Sequence, residues 1–216
     1  MEKTRIIETK IGKVQGIIEE NTEIFRGIPY AEKPVGELRF KHPSPPKKWD
    51  GILQADDFGP NAPQPSSSAK WLFGPDREYS EAECLTLNIW TPKTDDQKRP
   101  VMFWIHGGNY AFGNSAQANY DGIPLAKRGD IVIVTINYRL GPLGFLDLPN
   151  IDKNIGLADC IMALSWVHEN IENFGGDPNN VTIFGESAGG NAVITLLTMP
   201  KAKGLFHKVI AQSTAI

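Results

Sequence analysis

The sequence predicts an α/β layered fold, with a mostly parallel central sheet flanked by helices and a small N-terminal β-hairpin, and three observations carry that reading. Two stretches, "VMFWI" at 101–105 and "IVIVTI" at 131–136, are near-continuous apolar runs, the pattern of strands covered on both faces. Between Asn154 and Phe174, the residues Leu157, Ile161, Leu164, Val167, Ile171 and Phe174 recur at three- and four-residue steps. That spacing predicts an amphipathic helix, closed by Gly175-Gly176. The third is "NNVTIFGESAGGNAVITLL", Asn179 to Leu197, which passes from a β-branched run through a glycine-flanked serine into a helical pattern.

Taken in order, Arg5–Thr9 and Lys13–Glu20 flank Lys10-Ile11-Gly12 as a hairpin, and Glu23–Gly27 adds a third short strand. From Pro29 to Tyr79 the chain is dense in Pro, Gly and Ser, too long for a simple connection. A disordered linker is one reading. Phe40, Trp49, Phe58, Trp71 and Phe73 favour the other, a surface-packed segment near a functional site. Strands are expected at Leu85–Thr91, Pro100–His106 and Asp130–Tyr138, then the long helix, and a last strand in "HKVIAQS". In the third stretch, Val181–Phe184 reads as a buried strand and Ala188–Leu197 as a helix with Ala192, Leu196 and Leu197 on its apolar side.

Composition narrows the function classes. Among 216 residues, 41% are hydrophobic and 22% charged, which fits one globular core rather than a disordered or fibrous chain. The balance of 22 basic against 25 acidic residues includes no basic block, so nucleic acid is not an expected partner. Met1–Lys10 is charged, and no run approaches the ~20 apolar residues of a membrane span. A cytoplasmic protein with no membrane partner is the expectation. Cys84 and Cys160 form no framework and read as reduced core thiols. His42, His106, His168 and His207 form no ligand cluster, so neither a metal site nor a cofactor is expected.

The serine of the third stretch, Ser187, carries the chemistry. To leave a strand and enter a helix within about one residue it must adopt a strained backbone, typically at a cost of about 1–3 kcal/mol, which lifts its hydroxyl clear of both elements. Gly185 and Gly189, two residues away on either side, remove the Cβ atoms that would crowd strand and helix. A helix N-cap would explain one serine. It would not explain both glycines, Glu186 and the preceding strand together. Glu186 reads as a buried structural acid. A serine nucleophile needs N–H donors for the oxyanion it creates, and two sources are expected. One is the backbone N–H of Ala188, at a helix N-terminus. The other is "FWIHGGNYAFG", where Gly107 and Gly108 let the backbone approach a substrate oxygen; a plain strand-ending turn is its bland alternative.

The stretches "FRGIPYAEKPVGELRFKHP", "CLTLNIWTP", "PVMFWIHGG", "VIVTINYRLGPLGFL" and "KGLFHKVIAQS", with the serine region, resemble the N-terminal part of the type-B carboxylesterases, the cholinesterase-like branch of the α/β-hydrolases. The bacterial para-nitrobenzyl esterases are the members most similar in pattern, from about Gly12 onward. The resemblance implies that Ser187 is the acyl-accepting nucleophile, that the N–H groups of Gly108, Asn109 and Ala188 form the oxyanion hole beside Gly107, and that Arg139 pairs with Asp159. It also implies a small-molecule ester as substrate. Where the family has Gly or Ala, Asn109 stands, which implies a tighter loop. The family's acidic partner for Arg39 falls at Ala82, unless Glu81 takes its place. The cysteine that bridges to Cys84 in secreted relatives falls at Ala62, and the usual glycine after the last strand is Thr214.

By the same resemblance the triad acid and histidine follow the serine along the chain, beyond residue 216. Residues 1–216 are therefore expected to be the N-terminal part of a single domain whose C-terminal half is its missing partner, and the chain alone is expected to be inactive. His207 is not the expected base, because it directly precedes a strand and, by the resemblance, stands where the family has no catalytic residue. Two classes stay open: an ester hydrolase, and a catalytically inactive relative that acts as a binding module. Retention of Ser187 and both glycine signatures favours the first.

Overall fold

The computed structural model describes residues 2–65 and 77–214. Eleven strands are present among them: β1 (Glu2–Lys3), β2 (Ile7–Thr9), β3 (Gly12–Gln15), β4 (Ile17–Glu19), β5 (Thr22–Pro29), β6 (Ile52–Gln54), β7 (Thr86–Thr91), β8 (Arg99–Ile105), β9 (Val132–Ile136), β10 (Gly176–Glu186) and β11 (Lys208–Gln212). The α-helices are α1 (Ile123–Gly129), α2 (Gly141–Phe145), α3 (Ile155–Asn170) and α4 (Ala188–Thr198). Eight strands form one sheet in the order β1-β4-β5-β7-β9-β8-β10-β11, and β2-β3-β6 form a second.

The large sheet is mixed. β9, β8, β10 and β11 run parallel, while β1, β4, β5 and β7 join antiparallel to one another, and β7 pairs antiparallel with β9. The parallel half is where helical crossovers return the chain to the sheet; in the antiparallel half β4 and β5 are joined by a tight turn, whereas β5 reaches β7 only through the long Pro/Gly-rich segment. Glu20 and Asn21 make one such turn, with φ of 49° and 60°, the two positive values of a type I′ hairpin. The expected Lys13–Glu20 strand breaks at Gly16 into β3 and β4, which join different sheets. A Cβ on Gly16 would lie 2.0 Å from the Ile24 carbonyl oxygen, so the chain bends there against β5.

Both faces of the central strands are covered, as their apolar runs require. Successive side chains alternate between faces. Val101, Phe103, Val132 and Val134 join the main core with α3 and α4, whereas Ile24, Trp90 and Ile133 meet Ile123 and Ala126 of α1 on the other side. All six apolar positions expected on the long helix pattern are buried, and Gly175 closes it in the left-handed conformation with φ 78°. One expected core position fails: Leu197 is 58% exposed, and Val193 is buried instead. Leu197 lies on the outer side of α4 with Ile194, 44% exposed, next to the edge strand β11 and its 44% exposed Ile210.

The Pro/Gly-rich segment is held by bonds within itself and to the strands beside it. Asn61 and Tyr79 form a bridge, with Asn61 N–H donating to the Glu78 carbonyl at 2.8 Å and Ser80 N–H to the Asn61 carbonyl at 3.0 Å. Trp49 Nε1 donates to the Lys13 carbonyl at 3.1 Å, and Phe58 packs near Trp90. Trp71 and Phe73 lie outside the described residues. Cys84 and Cys160 are buried free thiols, and Ala62 is buried.

Candidate functional site

The site is built where the parallel strands end. β8 and β10 run side by side from Val101↔Val181 to Ile105↔Gly185, so their carboxyl ends release His106 and Glu186 at the same level. Ser187 follows at φ 54° and ψ −121°, a conformation that side chains rarely adopt, and α4 starts at Ala188. Two hydrogen bonds hold it there. Ser187 N–H donates to the Gln212 carbonyl at 2.9 Å, and the Asn191 N–H donates to the Ser187 carbonyl at 2.9 Å as the first helical bond. The neighbouring glycines are forced by approach rather than flexibility. A Cβ on Gly189 would sit 2.0 Å from the Ile105 carbonyl oxygen, and one on Gly185 would sit 2.6 Å from Gly189 and 2.7 Å from the Ile105 oxygen.

The loop after β8 comes equally close. A Cβ on Gly107 would lie 2.7 Å from the Glu186 carbonyl oxygen and 3.3 Å from Ser187 Cβ, so only glycine fits beside the serine. The carbonyls of this loop are fixed one by one. Tyr138 O–H donates to the His106 carbonyl at 2.8 Å; His106 Nδ1 donates to the Gly107 carbonyl at 2.7 Å; the Ala111 and Phe112 N–H groups both donate to the Gly108 carbonyl at 3.0 Å. Because a trans peptide is planar, with its oxygen and N–H on opposite sides, fixing the Gly107 and Gly108 oxygens also aims the N–H groups of Gly108 and Asn109. Asn109 and Tyr110 hold φ of 55° and 57°, a region asparagine tolerates better than most residues.

These pieces enclose a cavity of about 330 Å3 lined by Gly107, Gly108, Asn109, Glu186 and Ser187, together with Phe112, Gln117, Asn119 and Tyr120. Four of the expected site residues thus line one cavity with Ser187, while Gly185, Ala188 and Gly189 sit buried behind it. Glu186 departs from expectation. It is exposed at the end of β10 rather than buried, on the cavity it lines, and a lone carboxylate is costly to bury without a partner. The residues at 112–120 had no motif to reveal them. Only their position just after a glycine loop at a strand end pointed to the site. Tyr120, also packed 5.0 Å from Trp104, has its hydroxyl pushed up to about 12 by burial and then by the charge of Glu186.

His106 is buried, stacked 4.5 Å from Tyr138, and burial pulls its pKa down to about 4 against the opposing bond to Gly107. It is neutral at pH 7. With the proton on Nδ1, its Nε2 is a buried acceptor with no hydrogen-bond partner. His207, just before β11, lies beside the Val181 N–H at 3.2 Å in the middle of β10, six residues and therefore about 20 Å from Ser187 along the strand. His42 contacts the Lys153 carbonyl at 3.0 Å, and His168 is exposed on α3. None of the four lines the cavity beside Ser187.

Below the site, Arg139 and Asp159 form the expected pair. The Arg139 backbone N–H and Nε both donate to Asp159 Oδ2, at 3.0 and 2.9 Å; a second guanidinium nitrogen reaches Oδ1 at 2.6 Å, and the third reaches the Lys41 carbonyl at 2.9 Å. On the surface, Arg39 pairs with both oxygens of Glu81 at 2.5 and 2.6 Å, so Glu81 takes the role that Ala82 cannot. A separate cavity of about 510 Å3, between α3 and the 198–201 segment, contains none of the expected site residues. Among the described residues no group of three or more His, Cys, Asp or Glu is arranged to hold a metal, and no helix is long and apolar enough to cross a membrane.

A family model described as the carboxylesterase family matches residues 3–216. The para-nitrobenzyl esterase of Bacillus subtilis is 47% identical over 215 residues, which is 98% of this chain and 44% of that protein. The phenmedipham hydrolase of Pseudarthrobacter oxydans is 44% identical over 96% of this chain and 42% of its own length. Among solved structures, a thermophilic para-nitrobenzyl esterase superposes with a TM-score of 0.93 at 48% identity, covering 97% of this chain and 44% of that one. The chain thus spans somewhat under half the length of these relatives, and over that span it has their α/β-hydrolase fold.

Proposed function

The chain belongs to the carboxylesterase family, and on that footing we propose that it carries the nucleophile and oxyanion donors of a serine carboxylic ester hydrolase. The observation that carries the reading is Ser187 at φ 54°, held against Gly107 in a cavity that Gly108 and Asn109 also line. A serine with an ordinary capping role would have no reason to store such strain.

In the proposed reaction Ser187 Oγ attacks the ester carbonyl, and its proton passes to a histidine supplied from outside residues 1–216. Charge that develops on the carbonyl oxygen is met by the N–H groups of Gly108, Asn109 and Ala188, the last aided by the N-terminus of α4. The alcohol departs with the returned proton, leaving an acyl group on Ser187, and water then attacks the acyl-enzyme to release the acid and restore the serine. Residues 1–216 act as the N-terminal part of a single domain. The lack of any histidine lining the cavity, and the apolar residues exposed on α4 and β11, support that division. Short-chain aryl or alkyl esters are the proposed substrates, in keeping with relatives named as esterases. A cytoplasmic setting is supported by two buried thiols in the reduced state, one of which, Cys84, burial pushes up to about 12.

An organophosphate probe tests the assignment in the longer protein that we propose contains this chain. Mass spectrometry is expected to find one adduct, on Ser187. An adduct that persists in Ser187→Ala would contradict it.

A further inference from the structure

We propose that Gln64 is a positioning residue for the acyl-transfer step, bracing the turn that aims the Gly108 and Asn109 N–H groups. The inference rests on the hydrolase reading above and deepens it. Gln64 lies far from the serine in sequence, within the Pro/Gly-rich segment, yet its side-chain amide grips one backbone residue from both sides. The Gly113 N–H donates to Gln64 Oε1 at 2.8 Å, and Gln64 Nε2 donates back to the Gly113 carbonyl at 2.9 Å. The orientation of the amide is forced, because the Gly113 N–H can only donate and must face the oxygen. Gln64 Nε2 also donates to the carbonyl of the buried Ala62 at 3.1 Å, which anchors the amide to its own segment of backbone. Both hydrogen-bonding groups of Gly113 are thereby fixed.

Gly113 is the residue on which the glycine loop rests. Its φ is 110°, and a Cβ there would fall 2.7 Å from the Gly107 carbonyl oxygen and 2.7 Å from His106 Nδ1. Its backbone therefore presses on the very pair, the His106 ring and the Gly107 oxygen, whose hydrogen bond sets the Gly107–Gly108 peptide. Phe112 closes the same turn: its carbonyl oxygen would meet a Cβ on Gly108 at 1.9 Å, while its N–H bonds the Gly108 carbonyl that sets the next peptide. Without Gln64 the Gly113 N–H and carbonyl lose their side-chain partner, and the turn from 108 to 113 is free to relax. The donors would remain present but would sit off the place where the oxyanion forms. Misplacement of that kind acts on the transition state and leaves ground-state binding of the ester largely alone.

The test uses the longer protein, with Gln64→Leu, Gln64→Glu and Ser187→Ala beside the unaltered enzyme. Gln64→Leu keeps the bulk and removes both bonds; Gln64→Glu keeps an acceptor for the Gly113 N–H and loses the donor. We expect kcat to fall by about 10- to 100-fold in Gln64→Leu with KM little changed, and by less in Gln64→Glu. Affinity for a trifluoromethyl ketone, which adds to the serine and forms an oxyanion, should fall by a similar factor in the same order. If Gln64→Leu keeps kcat and ketone affinity within about twofold while Ser187→Ala abolishes turnover, Gln64 has no positioning role and the hydrolase reading stands. A fall in thermal stability with ketone affinity unchanged, or a loss confined to KM, would overturn the proposal in the same way. Unchanged turnover in Ser187→Ala would instead overturn the hydrolase reading, and this inference with it.

Discussion

Two polar regions, a buried one after β9 and a partly open one at the ends of β8 and β10, are built on opposite terms. Around Arg139 and Asp159 each hydrogen-bonding side-chain group is used: the carboxylate accepts from three donors, and the remaining guanidinium nitrogen reaches a carbonyl. Around Ser187 the reverse holds. The serine, Asn109 and Tyr110 sit at positive φ, and His106 Nε2 is buried without a hydrogen-bond partner. The two are joined, since Tyr138 bonds the His106 carbonyl and the Gly141 N–H bonds the Tyr110 carbonyl at 2.7 Å, both within two residues of Arg139. A saturated anchor thus holds one side of a strained, under-satisfied cavity. Strain persists only where its surroundings over-determine it.

The comparison is broken most severely from the anchor side. Asp159→Ala leaves the Arg139 guanidinium, 2% exposed, without its counter-charge. A loss of about 3–5 kcal/mol in denaturant unfolding is expected, enough to unfold a marginal domain. A loss below about 1 kcal/mol would mean the pair is a spectator.

Acid probes the cavity side. His106 has a folded pKa of about 4, below the ordinary 6.5, so between those values the unfolded chain takes up a proton that the folded chain refuses. Stability from this group is full above pH 6.5 and declines as pH falls toward 4, by about 3 kcal/mol in all. Between pH 6.5 and 5, before most carboxylates titrate, the unfolding free energy should slope downward, and His106→Asn should flatten that slope. An unchanged slope in His106→Asn would assign the acid sensitivity elsewhere.

The smallest effect has the opposite sign. Ser187→Gly removes a side chain from a backbone at φ 54° and is expected to stabilise the fold by about 1 kcal/mol, strain relief exceeding the entropy that glycine costs. Ser187→Ala keeps the Cβ and the strain, and should not stabilise. Thermal unfolding of the two variants side by side makes the distinction; equal stability would mean the elbow is unstrained.

How much of this could be read from the sequence followed from how local each cause is. The strand-turn-helix at Ser187 and the glycines at 107 and 108 were legible because backbone approach at 1.9–2.7 Å excludes every other residue, leaving a fixed spelling. The long helix and the doubly covered strands were legible through periodicity and continuous apolar runs. The break at Gly16, the antiparallel half of the sheet and the exposure of Leu197 were not, because each depends on which distant element lies alongside. The exposure of Glu186 is hidden from the sequence for a related reason: a residue's depth at a strand tip depends on what covers the tip. Gln64, Gln117 and Tyr120 reach the site across long sequence separations from a loop and a segment without periodicity, and no spacing rule marks them.

On the proposed reading residues 1–216 carry the nucleophile and its oxyanion donors without a base to activate them, and hydrolysis of para-nitrophenyl acetate by the purified chain, measured beside its Ser187→Ala variant, decides whether that is so. At most a weak serine-dependent rate is expected, about 10³-fold over water, the residue left by oxyanion donors and binding alone. Serine-dependent turnover at ordinary enzymatic rates, about 1–10³ per second, would contradict it by showing that one of the chain's own groups serves as the base.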